Sequence, residues 1–596
     1  MQDAETVLNI IRHRGQRGLK VERLYRQLFN MDLYLYAYSK LYSNKGAMTK
    51  GISEDTVDGM SLKVINNIID LLREERYVWT PVRRAYISKS DGKSKRPLGV
   101  PIWSDKLLQE VIRMLLESYY EPQFSEFSHG FRPNRGCHTA LGSIVKTHKG
   151  TKWFIEGDIS KCFDSLDHEI LINILKKNIE DNRFIQLIRN LLKSGYMEDW
   201  KWNNTYSGVP QGGIISPLLS NIYLDQLDKF IEQCLIPEYT CGKARADNPL
   251  YQHFSYKRRI AKQKEDKVSY AEYGKKLRKT PRLDPYDDKY RRLKYVRYAD
   301  DLLLSYAGPK AEAEEIKQKL SNFMINELRL NLSGTKTLIT HGRTKSARFL
   351  GYDVYVGQND SYRDSAGRRN LNGYITLSMP KEKMHKFCKK YMRGNNPIHL
   401  TQRLHDSEYD IISHYQSEYR GFTQYYKYAI NVHACNELRW KMESSLLKTL
   451  AAKHKTSVGK IIKKYKRQLK LQSGKTITAV HVVIEREKKK PLVAYFGGIS
   501  LKRDKTFKPL VDTIHVLRGG RTQIIERLLA DQCELCDSTD DVQVHHIRAL
   551  ADLHKRQRPK QEWEVIMIAR KRKTLVVCRQ CHMNIHHGKY DGRNGD

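Results

Sequence analysis

The stretch Tyr295-Val296-Arg297-Tyr298-Ala299-Asp300-Asp301-Leu302-Leu303-Leu304 sets two adjacent carboxylates inside an apolar and aromatic run. The pattern from Lys294 to Ser305 predicts two strands joined at a tight turn, with the two acids at its tip. Acids in such a place are costly unless a cation meets them. Side chains alternate along a strand, so one of the pair faces a site while its neighbour points elsewhere. A second predicted strand, Trp153 to Ile159, brings Glu156-Gly157-Asp158 to its end. Asp158 would then join the turn acids Asp300 and Asp301 in an oxygen-lined site for two Mg²⁺ ions suited to phosphoryl transfer. Taken alone, an Asp-Asp pair reads as a solvated turn. The surroundings have to decide.

The whole chain has 596 residues, and its 106 Lys+Arg against 67 Asp+Glu give a net charge of +39. That length predicts about four folding units, at about 150 residues each. With 40% hydrophobic and 29% charged residues the chain reads as globular, which excludes wholesale disorder. It holds no uninterrupted apolar run of about 18 residues, so a membrane-spanning protein is not expected. The start, Met1-Gln2-Asp3-Ala4-Glu5, is neither basic nor followed by the apolar core of a secretory signal, and its acids argue against an organellar transit peptide. A charge of +39 calls for a polyanion, nucleic acid ahead of an anionic membrane surface. Neutralising phosphates releases counterions and supplies affinity without reference to sequence.

Working outward, Leu24 to Tyr38 carries a helical apolar stripe, and Asp105 is expected to cap a helix running through Leu108, Val111, Ile112 and Leu115. Ser216-Pro217 opens another helix, and residues 236–290 are basic, polar and look inserted between core elements. From 377 to 452 the pattern is mainly helical, and residues 453–520 hold 18 Lys+Arg against 4 Asp+Glu. Cys137, Cys162, Cys234, Cys241, Cys388 and Cys435 are scattered like buried thiols of a reducing compartment.

The segment Tyr298-Ala299-Asp300-Asp301 resembles the Y-x-D-D box of reverse transcriptases, whose other palm aspartate matches Asp158. Other motifs follow the family's order. Lys95-Arg96-Pro97-Leu98-Gly99-Val100-Pro101 resembles the fingers motif over the nucleotide, and Ser207-Gly208-Val209-Pro210-Gln211-Gly212-Gly213 resembles the P-Q-G box. Leu332-Ser333 with Lys336-Thr337, and Phe349-Leu350-Gly351-Tyr352, are similar to the late palm motifs. The resemblance implies dNTP contacts for Lys89, Arg96, Phe163, Gln211 and Lys336, with Phe163 as the bulky residue beside the ribose. A guanidinium fork such as that of Arg96 suits triphosphate oxygens.

Leu41-Tyr42-Ser43-Asn44-Lys45-Gly46 looks like the N-terminal extension of group II intron-encoded proteins. Glu418-Tyr419-Arg420-Gly421-Phe422-Thr423-Gln424-Tyr425-Tyr426 and Ser445-Leu446-Leu447-Lys448-Thr449-Leu450-Ala451-Ala452-Lys453-His454-Lys455 resemble the same family's thumb, or maturase, domain. Lys45, Lys50, Arg420, Tyr425, Lys448, Lys453 and Lys455 are the expected RNA-contacting residues, a basic and aromatic set suited to phosphates and stacking. For Tyr425 the alternative is core packing. The basic segment beyond occupies the family's DNA-binding position.

Cys533-x-x-Cys536 and Cys578-x-x-Cys581 have the spacing of a tetrahedral, structural zinc site. Between and after the pairs stand His545-His546 and His582-x-x-x-His586, the latter on one helical face. His545, His582 and His586 suit one divalent ion, leaving His546 as a general base toward water. The arrangement resembles the HNH, or ββα-metal, nuclease domain. One departure stands out: Lys573-Thr574-Leu575-Val576-Val577 lacks the Asn usual on the strand before the helix.

These resemblances imply a multidomain α+β chain. Residues 1–376 form a right-hand polymerase's fingers and palm with an antiparallel sheet, including an N-terminal extension over about 1–60. Residues 377–455 form an α-helical thumb, 456–520 a basic DNA-binding segment, and 521–596 a small zinc-containing HNH unit. The expected partners are group II intron RNA in a ribonucleoprotein, target double-stranded DNA and dNTPs, with no membrane. The expected location is the bacterial cytoplasm at the nucleoid, with an organellar host left open. A splicing maturase without enzymatic activity and a non-intron retroelement polymerase are the alternatives.

Overall fold

The structure is a computed structural model that describes residues 2–44, 46–88, 95–198, 201–203, 207–208, 212–284, 287–334, 337–359, 372–470, 474, 476–486, 489–507, 523–554 and 559–588. Its central feature is a four-stranded antiparallel sheet in the order Ile339–His341, Trp153–Asp158, Asp301–Tyr306, Leu293–Tyr298. Period-two alternation makes this sheet a partition between two cores. Ile155, Tyr295, Leu302 and Leu304 face a helical core toward the N-terminus, whereas Phe154, Val296 and Leu303 face a second core toward the C-terminal half.

The first core gathers the helices Ala4–Gln16, Met31–Leu41, Leu62–Arg73, Trp103–Tyr120, His168–Asn178, Asn182–Lys193 and Ser216–Phe230. The stripe read from Leu24 to Tyr38 is two helices, Leu24–Gln27 and Met31–Leu41, because the Asn30 side chain caps the second by accepting from the Asp32 amide. Asp105 is not a cap. The Trp103–Tyr120 helix begins before it, and its buried carboxylate accepts from the Tyr77 hydroxyl and the Thr80 amide. Burial pushes that carboxyl up to about 6. Ser216 lies inside the first turn of its helix, with Pro217 beside it.

A second antiparallel sheet, Ala347–Phe349, Tyr352–Val356 and Ile375–Ser378, leads into the helices Lys381–Cys388, Glu408–Tyr425 and Cys435–Lys453. The basic segment continues into the helix Val458–Tyr465 and a three-stranded antiparallel sheet, Lys466–Lys470, Thr476–Arg486 and Lys489–Phe496. That sheet shares the second core: Phe496 packs on Tyr415 and Tyr419, and the Gln416 amide exchanges two hydrogen bonds with Gly497. Residues 236–290 contain a pair of helices, Pro249–Gln263 and Lys267–Lys279, whose only buried described residues are Ala261 and Gly274.

The C-terminal unit comprises the helix Gln523–Leu529, the antiparallel strands Val542–His546 and Thr574–Cys578, and the helices Glu562–Ala569 and Arg579–His586. Val542, Val544 and Val576 join the first core with Ile524, Ile525 and Leu528. Leu575 and Val577 turn instead to a small core with Trp563 and Met567. Among the described residues no helix is long and apolar enough to cross a membrane.

Candidate functional sites

The strand register places Asp158 opposite Asp301, which in turn faces Tyr298 across the hairpin. Asp300 shares the two-residue turn with Ala299, and Asp158, Asp300 and Asp301 are all half-buried. Ala299 has φ +55°, the left-handed conformation that short hairpin turns require and that alanine adopts at a cost. Two contacts hold it there. Arg297 donates to the Ala299 carbonyl at 3.0 Å, and Gly130 lies so close that a Cβ would sit 2.3 Å from the Ala299 nitrogen. The Ile159 amide donates to the Asp300 carbonyl at 3.4 Å, tying the strand end to the turn.

Arg297 stands inside the apolar hairpin, and its charge is met by Asp228 from another element. It is fully buried and forks onto Asp228, with Nε–Oδ1 at 2.8 Å and Nη2–Oδ2 at 2.5 Å. It also donates to Asn221 Oδ1 and Ser128 Oγ, while Tyr295 donates to Asp228. Burial opposes the Arg297 charge, and Asp228 more than restores it, so the guanidinium stays protonated. Asn221 and Asp228 lie on the Ser216–Phe230 helix, so the helix after the P-Q-G segment positions the turn. Sequence reading passed over all of these. The available signal was a lone Arg inside the apolar hairpin.

Arg96 is exposed on the Lys95–Val100 strand, opposite Ile87. Gly212, at φ +104°, seats against the Gly99 carbonyl, and Gly208, at φ +87°, against the Phe163 carbonyl. A Cβ at these glycines would lie 2.8 and 2.6 Å from those oxygens, which accounts for both. Phe163 is half-buried, with its ring edge-on to Phe131. Lys45, Lys89, Gln211 and Lys336 lie outside the described residues.

Of the expected RNA contacts, Arg420 and Lys455 are exposed, and Lys50 is exposed in an ion pair with Glu54. Lys448 and Lys453 reach the carbonyls of Pro397 and Leu404. Tyr425 is differently employed. Its hydroxyl donates to the Leu350 carbonyl at 2.6 Å and its own carbonyl accepts from Tyr352, so it joins the long helix to the second sheet.

In the C-terminal unit the ligand atoms of Cys533, Cys536, Cys578 and Cys581 lie within 4.8 Å of one another. Cys536 stands 3.6 Å from both Cys578 and Cys581, close to the ~3.8 Å edge of a tetrahedral zinc–thiolate site. Burial and the neighbouring sulfurs push the Cys581 thiol up, a penalty that a bound cation removes. The donor set fits a metal.

His545, His582 and His586 form a second cluster, joined by Asp58 from the N-terminal half. The Asp58 carboxylate lies 3.4, 3.1 and 2.9 Å from His545 Nδ1, His582 Nε2 and His586 Nε2. His545 is 4% exposed; its Nε2 has no hydrogen-bond partner among the described residues, and its Nδ1 has only the long contact with Asp58. Orphaned imidazole nitrogens of this kind are what a metal satisfies. Burial lowers the His545 pKa and pushes His546 down to about 3, leaving both rings neutral. His546 meets the Tyr38 hydroxyl at 2.9 Å and forms part of the wall of a cavity of about 690 Å³. Arg527, Arg548, Lys571, Arg572 and Lys573 line the cavity's nuclease side. Thr574 pairs opposite His546, at the strand where an Asn was sought.

Family models match in three places. Residues 87–354 match "Reverse transcriptase (RNA-dependent DNA polymerase)", 375–494 match "Type II intron maturase", and 533–582 match "AI2M/AI1M-like, HNH endonuclease". The "Group II intron-encoded protein LtrA" of Lactococcus lactis subsp. cremoris is 40% identical, over 95% of this chain and 96% of that protein. The chain belongs to the group II intron-encoded protein family. A fission yeast relative, the "Uncharacterized 91 kDa protein in cob intron" of Schizosaccharomyces pombe, is 36% identical over 97% of this chain and 71% of its own. The "Putative COX1/OXI3 intron 1 protein" of Saccharomyces cerevisiae is 31% identical over 94% and 68%. This group II intron-encoded protein is therefore a reverse transcriptase and an endonuclease with a maturase domain between them.

Proposed function

We propose that the protein carries intron RNA into DNA by target-primed reverse transcription. It binds its intron RNA and supports splicing. The ribonucleoprotein then engages double-stranded DNA, the HNH unit nicks one strand, and the freed 3′-hydroxyl primes synthesis at the palm. The observation that carries this reading is the presence, in one chain, of the Asp158–Asp300–Asp301 turn and the His545–His546 strand end. A nickase and a polymerase on one chain let the first supply the 3′-hydroxyl primer that the second extends.

In the palm, Asp158, Ile159 and Asp300 offer oxygens to two Mg²⁺ ions, and Asp301 completes the catalytic set. Arg96, Lys89 and Lys336 take the triphosphate, and Phe163 and Gln211 border the nucleotide. Divalent ions bound at the palm and at the histidines supply charge stabilisation for the reacting phosphate oxygens. At the nuclease, neutral His546 accepts the proton of the attacking water, and the basic cavity wall holds the strand. Zn²⁺ at the four cysteines is structural.

The architecture in this reading is a right hand followed by a thumb, a basic DNA-binding segment and a ββα-metal unit. The basic sheet over 466–496 is built onto the thumb, because it shares the core of Tyr415 and Tyr419. Arg420, Lys448, Lys453 and Lys455 then offer the thumb's charge to RNA, with Lys45 and Lys50 adding that of the N-terminal extension. The bacterial source of LtrA supports a bacterial host, in which the protein would work in the cytoplasm at the nucleoid.

The test uses the ribonucleoprotein reconstituted with its intron RNA. His546→Ala should block second-strand nicking while polymerisation and splicing continue; nicking at the wild-type rate would refute the general-base role.

A further inference from the structure

Asp58 lies in the N-terminal half, far from the nuclease in sequence, yet its carboxylate stands at the centre of the three nuclease histidines. The backbone delivers it there. Gly59 donates to the Val544 carbonyl at 3.0 Å and Val544 to the Met60 carbonyl at 2.8 Å, so Met60 pairs with Val544 as a short added strand. The His546 amide then donates to Asp58 Oδ1 at 2.7 Å. Gly59 turns at φ +85°, a conformation that glycine adopts without strain.

Hydrogen bonding alone accounts poorly for this cluster. His582 Nε2 and His586 Nε2 face each other at 3.2 Å, and two nitrogen lone pairs converge there unless one carries the proton. Buried His545 has no partner for Nε2 among the described residues, and its Nδ1 reaches Asp58 only at a long 3.4 Å. Two imidazoles on one tetrahedral ion stand ~3.3 Å apart, given metal–nitrogen distances of about 2.0–2.1 Å. The observed spacing matches that of ligands around an ion.

We propose that Asp58 is the fourth protein ligand of the divalent ion held by His545, His582 and His586, so that the ion clamps the nuclease unit onto the N-terminal segment. The inference rests on the nuclease reading of the three histidines and adds a ligand from another part of the chain. A carboxylate on the ion takes up a coordination position and a share of its charge that would otherwise be offered to a substrate phosphate. The clamped form is then a resting form, and a DNA phosphate must displace Asp58 before cleavage. The neighbouring contact between Tyr38 and His546 belongs to the same docked arrangement.

The test uses the full-length protein holding one equivalent of zinc, taken up by the four cysteines, without RNA. Mn²⁺ is the probe, because thiolates favour zinc and Mn²⁺ will not compete for the four cysteines. Calorimetry should find one Mn²⁺ site in wild type, weakened about 100-fold by Asp58→Asn and abolished by His582→Ala. At saturating Mn²⁺, hydrogen exchange should show metal-dependent protection at residues 58–60 as well as 544–546 in wild type, with the signal at 58–60 lost in Asp58→Asn. At saturating Mn²⁺, Asp58→Asn should nick DNA faster than wild type.

Unchanged Mn²⁺ affinity in Asp58→Asn, with affinity still lost in His582→Ala, would overturn the role of Asp58 and leave the three-histidine site standing. Slower nicking by metal-saturated Asp58→Asn would overturn the resting form. Wild-type affinity in His582→Ala would overturn the histidine site itself, and Asp58's role with it. Zinc content equal to wild type and an unchanged circular dichroism spectrum establish that each variant is folded. Asp58→Ala repeats the comparison without an amide oxygen that could still ligate.

Discussion

The two candidate active centres are held in opposite ways. The palm turn is locked from within its own core, where buried Arg297 joins Asp228, Asn221 and the Ala299 carbonyl. The nuclease histidines are met from outside their unit, by Asp58 and Tyr38 of the N-terminal half. A buried ion pair with excellent geometry fixes a turn once, at folding. A cluster closed by a carboxylate from a distant segment depends also on that segment staying in place, here through the pairing of Met60 with Val544. The palm turn is accordingly fixed by contacts within its own core, whereas the nuclease cluster is completed by a distant part of the chain.

Three variants break or sharpen this contrast. The largest effect is expected from Cys533→Ser, because structural zinc supplies much of a small unit's folding free energy. Bound zinc should fall by about one equivalent and the C-terminal unit should melt, with dNTP incorporation retained. A joint loss of incorporation would show that the two centres are not independently held. Next is Arg297→Ala, which leaves Asp228 buried and unpaired. It should cost about 3–5 kcal/mol in denaturant unfolding of the polymerase half, with zinc content unchanged. A loss below about 1 kcal/mol would remove the internal lock. Smallest is Tyr425→Phe, which deletes one hydrogen bond between the long helix and the second sheet and should cost about 1 kcal/mol. Loss of intron-RNA affinity without loss of stability in that variant would return Tyr425 to the RNA surface.

The same contrast explains what was legible in the sequence. Asp300-Asp301, the paired cysteines and His582-x-x-x-His586 announce themselves because their chemistry is contiguous or spaced by one helical turn. Asp58 gave no such signal, since it stands 488 positions from His546. Arg297 lay in plain view, but its partner Asp228 is 69 residues away on another element. The basic segment after residue 453 showed only its charge, and its sheet became visible through packing on Tyr415 and Tyr419. Local chemistry is readable in sequence, whereas the contacts that fix it come from residues the fold brings together.

The net charge of +39 is spread over this framework rather than concentrated at either centre. It lies on the helix pair within residues 236–290, on the thumb and its added sheet, and on the wall of the nuclease cavity. Such a distribution fits several polyanions held at once. It also predicts RNA and DNA binding that weakens steeply with salt.

Template-primed dNTP incorporation by the full-length protein, compared between wild type and Asp300→Ala, tests the account most directly. Incorporation should fall by about 1,000-fold or more, while the variant ribonucleoprotein nicks target DNA at the wild-type rate. Equal incorporation by Asp300→Ala would contradict the assignment of the turn as the polymerase centre.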